Sequence, residues 1–215
     1  VAAKGGRNAE SHNHNDCGSI VVHADRESSI TDIGRPTYER GYGTNRFTYL
    51  AARSLGHPVP YVNGTEQAAG AEYGATVLDR TESDERDSIT YDLAGAYPDE
   101  AGLDALFRTV ELDREAAVVT VEDDATFVTD ATENRWESVL VSWHRMVERD
   151  GGLDVEGDDV TTRVTAEGSD GVEIERLEDA IDVTGHTTDD TDFRDVWRAR
   201  IPASDDRLRL RIDPR

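Results

Sequence analysis

The chain has 215 residues, 46 acidic against 23 basic side chains, a formal net charge of −23 and a hydrophobic content of 36%. No apolar run approaches the ~20 residues of a membrane-spanning helix, a lone cysteine, Cys17, excludes a disulfide framework, and so negative a charge argues against general binding of a polyphosphate backbone. Low hydrophobicity with high charge is also a signature of disorder, but the periodic apolar pattern favours a folded, acid-surfaced protein suited to high salt, and Lys4 as the single lysine agrees with that.

Along the chain, the first informative stretch runs from Gly5 to Asp16 and packs His12, His14, Glu10, Asp16 and several asparagines together. Read as an extended strand, it points His12 and His14 to one face, because strand side chains alternate with a period of two. Paired imidazoles on one face are a common beginning of a transition-metal site, and a third ligand must come from elsewhere. Asp32, at the end of a β-type run, and His57, between Gly56 and Pro58, are the candidates. His23, His144 and His186 read as surface or hydrogen-bonded histidines. The spacing predicts strands over 19–22, 88–93, 107–112, 117–122, 125–129, 136–143, 160–164, 172–177, 196–201 and 207–212. Strict alternation over 207–212 puts Leu208, Leu210 and Ile212 inward and three arginines outward. Trp136, Val139, Val141 and Trp143 read as core or near-core. A short helix is expected over 99–106, solvated turns over 80–87 and 186–192, and a long, glycine-interrupted aromatic and basic loop over 34–56. Long 3.6-residue apolar stripes are absent, so the fold class is all-β, an antiparallel β-sandwich. Charge is uneven as well: residues 1–60 carry seven basic and six acidic side chains, a net of +1, which leaves −24 for the other 155 residues.

Two resemblances bear on function. His12-Asn13-His14-Asn15-Asp16 is similar to the H-x-H-x-D-H motif of metallo-β-lactamase-type hydrolases, but Cys17 stands where that motif has its next histidine, and that fold alternates strands with helices. A broader resemblance runs through five blocks in order. They are Ala3-Lys4-Gly5-Gly6 with Asn8 and Glu10 to Asp16; Thr31-Asp32-Ile33-Gly34-Arg35 with Thr37-Tyr38; His57 with Val59-Pro60 and Val62-Asn63-Gly64; Asp92 to Pro98 with Glu100-Ala101-Gly102; and Arg108-Thr109-Val110 with Leu112-Asp113-Arg114. This pattern, with Trp197 and Arg198 in the last strands, resembles the C-terminal domain of heparinase II/III-like polysaccharide lyases, including their oligo-alginate lyase relatives.

The resemblance implies a single β-sandwich domain over residues 1–215, truncated at its N-terminus, that packs in the family against an α/α-toroid. It implies zinc held by His14, Asp32 and His57, with His12 facing the substrate cleft as a catalytic group and Asn8, Glu10 and Arg35 as substrate-binding candidates. The implied reaction is β-elimination at a uronic acid of an anionic poly- or oligosaccharide, and the near-neutral charge of residues 1–60 suits such a partner. The family's toroid tyrosine has no counterpart here, since Tyr38, Tyr42 and Tyr49 do not map to it, so the chain alone is expected to be an incomplete enzyme. A non-catalytic carbohydrate-binding or structural sandwich is the alternative. Nothing in the sequence suggests a nucleic-acid partner, and no leader peptide is visible.

Overall fold

Side-chain alternation decides most of the architecture. The computed structural model describes residues 1–34, 46–129, 133–182 and 193–215. Their strands are β1 (Ala2–Ala3), β2 (Ile20–Ala24), β3 (Glu27–Ile30), β4 (Pro60–Val62), β5 (Thr76–Glu82), β6 (Arg86–Asp92), β7 (Leu103–Asp113), β8 (Val118–Phe127), β9 (Trp136–Ser142), β10 (Arg145–Arg149), β11 (Gly152–Glu156), β12 (Thr161–Glu167), β13 (Glu173–Asp182), β14 (Phe193–Pro202) and β15 (Arg207–Pro214). They form an eight-stranded sheet in the order β10-β11-β12-β15-β8-β7-β6-β5, a four-stranded sheet β13-β14-β9-β4 and a three-stranded sheet β1-β2-β3. The expected antiparallel sandwich is therefore observed, and the described residues contain no α-helix, only short 3-10 turns.

One core joins the sheets. Leu106, Val110, Val121, Leu208, Leu210 and Ile212 of the large sheet meet Ile20, Ile30, Trp136, Leu140, Ala199 and Ile201 of the smaller ones. In β15 the apolar residues are fully buried and the arginines exposed, as the alternation requires. Strand β9 is buried along its whole length. Trp136 and Leu140 face the main core, while Val139 and Val141 face a second cluster with Ile33, Ala51 and Val196. That second cluster fixes the backbone beside Asp32 and the turns leading to His57, so β9 is the floor on which the candidate site stands.

Several local expectations are corrected. The segments 117–122 and 125–129 form one continuous strand, β8. The helix expected over 99–106 is a single 3-10 turn, Asp99–Ala101, closed by Gly102 at φ 66°, after which β7 begins. Residues 80–82 and 86–87 belong to β5 and β6 rather than to a solvated turn, and β5 escapes apolar patterning because every residue in it is exposed on the sheet edge. Residues 186–192, with His186, and the 35–45 part of the long loop, with Arg35, Tyr38 and Tyr42, lie outside the described residues.

Candidate metal centre

The Gly5–Gly18 stretch is a chain of turns, not a strand. Among the described residues its one strand-like pairing is an isolated bridge from Arg7 to Gly74, and Gly6 and His12 take left-handed backbone angles, φ 89° and 61°. Glycine and asparagine in such density favour turns over pleated structure. The period-two argument that put His12 and His14 on one face does not apply. His12 is exposed on a turn and His14 is half-buried below it.

Buried amides hold this loop in place. Asn8, 1% exposed, donates to the Ala68 carbonyl at 2.9 Å. Gln67 accepts from the Cys17 backbone N–H at 2.9 Å and donates to the Cys17 carbonyl at 2.7 Å. Ser54 Oγ donates to the Asn15 carbonyl at 2.7 Å, and the Asn15 backbone N–H donates to Ala52 at 3.1 Å. Asn8 thus sits inside the scaffold, while Glu10 is exposed beside Gly6. Two glycines are needed for close approach. A Cβ on Gly18 (φ 86°) would lie 2.6 Å from Leu93 Cδ1, and one on Gly56 would lie 2.1 Å from the Leu50 carbonyl oxygen.

Three separate segments converge on one point. His14 comes from the turn-rich loop, Asp32 from just beyond β3, where the Thr31 N–H bonds to Val141 of β9 at 3.1 Å, and His57 from the end of a run of 3-10 turns. Asp16 joins them: one ligating atom from each of His14, Asp16, Asp32 and His57 lies within 4.8 Å of all the others. The His14 and His57 ring centroids are 5.1 Å apart. His57 is fully buried, and its Nε2 lies 3.0 Å from the Ala51 carbonyl. A carbonyl only accepts, so Nε2 carries the proton and Nδ1 is left with its lone pair. That Nδ1 is buried without a hydrogen-bond partner, and Asp32 Oδ2 stands 3.8 Å away, beyond hydrogen-bond range.

An orphaned buried acceptor costs about 1–3 kcal/mol. Here it is aimed at a second imidazole and two carboxylates, a donor set that suits zinc. The ring's other nitrogen is tied to a backbone carbonyl, the usual outer-shell support of a ligating histidine. Burial lowers the His14 pKa from its ordinary 6.5, the His57 ring adds to the shift, and Asp32 and Asp16 pull it back up. The net effect favours the neutral, ligating imidazole. Asp16 is itself buried and paired with Lys4 at 2.5 Å. The residues present therefore fit a divalent cation.

Other chemistry-bearing residues read differently. Cys17 is buried, with its thiol pushed up to about 11, first by burial and then by Asp16, and its Sγ lies 3.3 Å from Asn8 Oδ1, in the loop scaffold. That, with the all-β fold, removes the metallo-β-lactamase reading. Glu27, His144 and Asp158 also gather within 4.8 Å, but the Glu27 carboxylate already accepts from the backbone N–H groups of Asp158, Asp159 and Val160 at 2.8, 3.2 and 2.7 Å. It is a turn anchor. Lys4, Arg26 and Arg53 of the cation-rich first quarter are ion-paired with Asp16, Asp159 and Glu66, and Arg46 donates to Asn13 at 2.8 Å beside the site. A cleft of about 620 Å³ lies around Phe127, Asn134, Trp136 and Ser204, at the other end of β9. Asp16 was missed as a site residue although it lies within the quoted motif.

Comparison with known proteins places the chain in a family. No curated protein matches the sequence. Among solved structures, a heparan sulfate lyase HepC mutant from Pedobacter heparinus superposes with a TM-score of 0.71 at 13% identity, covering 97% of this chain and 32% of that one. A heparinase III gene product gives 0.74 at 9%, covering 99% and 32%, and a further heparinase III structure gives 0.66 at 16%, covering 95% and 30%. The chain thus spans about a third of the length of these neighbours, which share its fold. The family model for the heparinase II/III-like C-terminal domain matches residues 1–209, and the chain belongs to that family.

Proposed function

We propose that this chain is the metal-binding β-sandwich part of a polysaccharide lyase that cleaves uronate-containing anionic glycans by β-elimination. Family membership supports the reaction class. The observation that carries the metal role is the buried, unpartnered Nδ1 of His57 facing His14 and Asp32. His14, Asp32 and His57 hold zinc, and Asp16 completes a four-group donor set with Lys4 balancing its charge. Bound there, zinc supplies a fixed cross-link among three loops that share no strand pairing. Four protein groups make a closed site, the structural rather than the catalytic pattern.

His12, two residues from His14 on an exposed turn, is positioned by that cross-link. Its imidazole can donate to or accept from substrate near neutral pH. The C5 proton of a uronate becomes acidic only when its carboxylate charge is neutralised, so donors must converge there. Glu10 and Arg46 are the candidates this chain offers around the same loop, Arg35 lies outside the described residues, and Asn8 acts from within the scaffold. The rest of the cleft, including a base or acid tyrosine, belongs to the larger protein that the heparinase neighbours represent.

The test is ultraviolet absorbance of unsaturated uronates across an anionic glycan panel, with the full gene product and with its His12→Ala variant. Product from the first and at least about 10²-fold less from the second is expected. Glycan binding with no product from either would favour the carbohydrate-binding alternative.

A further inference from the structure

Arg108 is absent from the ligand set, yet the structure places it where a charge is hardest to accommodate. It lies on β7, is 1% exposed, and every one of its five N–H groups has an acceptor. Nε and Nη2 grip the two oxygens of Asp123 on β8 at 2.7 Å each, and Nη2 also reaches Ser138 Oγ on β9 at 3.1 Å. Nη1 divides between the Gly18 carbonyl at 2.8 Å and the Pro58 carbonyl at 2.7 Å. Gly18 closes the loop that carries His14 and Asp16, and Pro58 directly follows His57.

We propose that Arg108 is a positioning residue for the metal centre, its Nη1 fixing the separation of the two histidine-bearing loops. The proposal rests on the metal reading above. Stability alone does not explain the arrangement, because a buried ion pair can often be replaced by apolar residues of similar volume at no loss. An apolar pair cannot reproduce the two contacts to loop carbonyls. A planar guanidinium can, since it offers five donors in fixed directions, and a lysine offers only three from one point.

This distinction sets the experiment. Zinc affinity is measured by competition with a chelating indicator, alongside the melting temperature, for the wild type, Arg108→Met/Asp123→Leu, Arg108→Lys and Ser138→Ala. Without metal, the double variant is expected to stay folded, melting below the wild type by no more than the loss of two carbonyl partners accounts for, while binding zinc at least 10-fold more weakly. Ser138→Ala, which frees only the arm toward β9, should keep wild-type affinity. Wild-type zinc affinity in the double variant overturns the proposal and leaves the metal reading standing. A wild type that takes up no zinc overturns both. Should the double variant fail to fold, Arg108→Lys decides: weakened zinc binding in a folded protein supports the positioning role, and unchanged binding overturns it.

Discussion

Two histidines two residues apart have different environments, and the difference sets the expected effect of removing each. His14 is half-buried against His57, whereas His12 is exposed at a left-handed turn position. His14→Ala should therefore lower zinc content and melting temperature together, since bound metal stabilises only the folded state. Elemental analysis and thermal melts with and without a chelator would show it. His12→Ala should leave zinc and melting temperature nearly unchanged, because an exposed imidazole has little packing to lose, and its effect should fall on turnover. Loss of zinc in His12→Ala would assign the metal role to the other imidazole. The ligand residues were legible as residue types, since histidine and aspartate in this density are uncommon in a loop. Their geometry was not, because an extended reading of Gly5–Asp16 ignored the glycine and asparagine turns that raise His12 above His14. Arg108 left a signal of a different kind. Leu106 and Val110 face inward on β7, Val121 and Ala125 on β8, and the intervening Arg108 and Asp123 pair in register. A charge at an inward position of an alternating strand, matched by its opposite on the neighbouring strand, marks a buried ion pair.

Strands were readable where apolar residues alternate or cluster, as in β15 and the edge strand β13, and unreadable where charged, polar or glycine residues crowd the run, as in β5 and the interior strand β11. β15 follows from strict alternation, and β9 from its Trp136 and Val139-Leu140-Val141 apolar residues. β5, β10 and β3 carry too many charged or polar residues for periodicity to show, and their strand character comes from pairing with a neighbour. β3 matters most for function, because it leads into Asp32. Glu27, its first residue, ties it to the β11–β12 turn through three backbone N–H groups. Burial pushes the Glu27 pKa up, but those three bonds and the nearby His144 outweigh it and leave the pKa below its ordinary 4.5. A carboxylate with a depressed folded-state pKa adds stability above its unfolded value, and that stability is lost as pH falls through the folded value. Glu27→Gln should accordingly melt below the wild type near pH 7, and the gap should close as pH drops below about 4.5. Melting curves from pH 7 to pH 3 would check this, and a gap independent of pH would mean that the carboxylate charge contributes nothing to the anchor.

At the scale of the whole molecule, charge is the dominant unbalanced term. The outward face of the large sheet carries Arg207, Arg209 and Arg211 among Glu122, Asp124 and Glu167 on the flanking strands. Ion pairs do form there, such as Arg207 with Asp124 at 2.6 Å. Exposed pairs contribute only about 0–1 kcal/mol each, however, and arginine is outnumbered two to one by carboxylates over the chain. The remaining −23 is left without an opposite side-chain charge, so its self-repulsion depends on screening. The Debye length is about 3 Å at 1 M salt and about 10 Å at 0.1 M, so neighbouring carboxylates that ignore each other in brine repel in dilute buffer. Apolar burial does not compensate on dilution, because exclusion of kosmotropic salt from apolar surface also strengthens burial at the high-salt end. Stability should therefore fall steeply from molar salt to tens of millimolar. The four-group site should resist longest when zinc is bound, since the ion adds positive charge to a cluster holding both Asp16 and Asp32. Circular dichroism melts across that salt range, with zinc and with chelator, would show a melting temperature that drops with dilution and drops further without metal. A β-sheet signal and melting point indifferent to salt would show instead that the acidic surface is tolerated by the fold, and not that the fold depends on a saline medium.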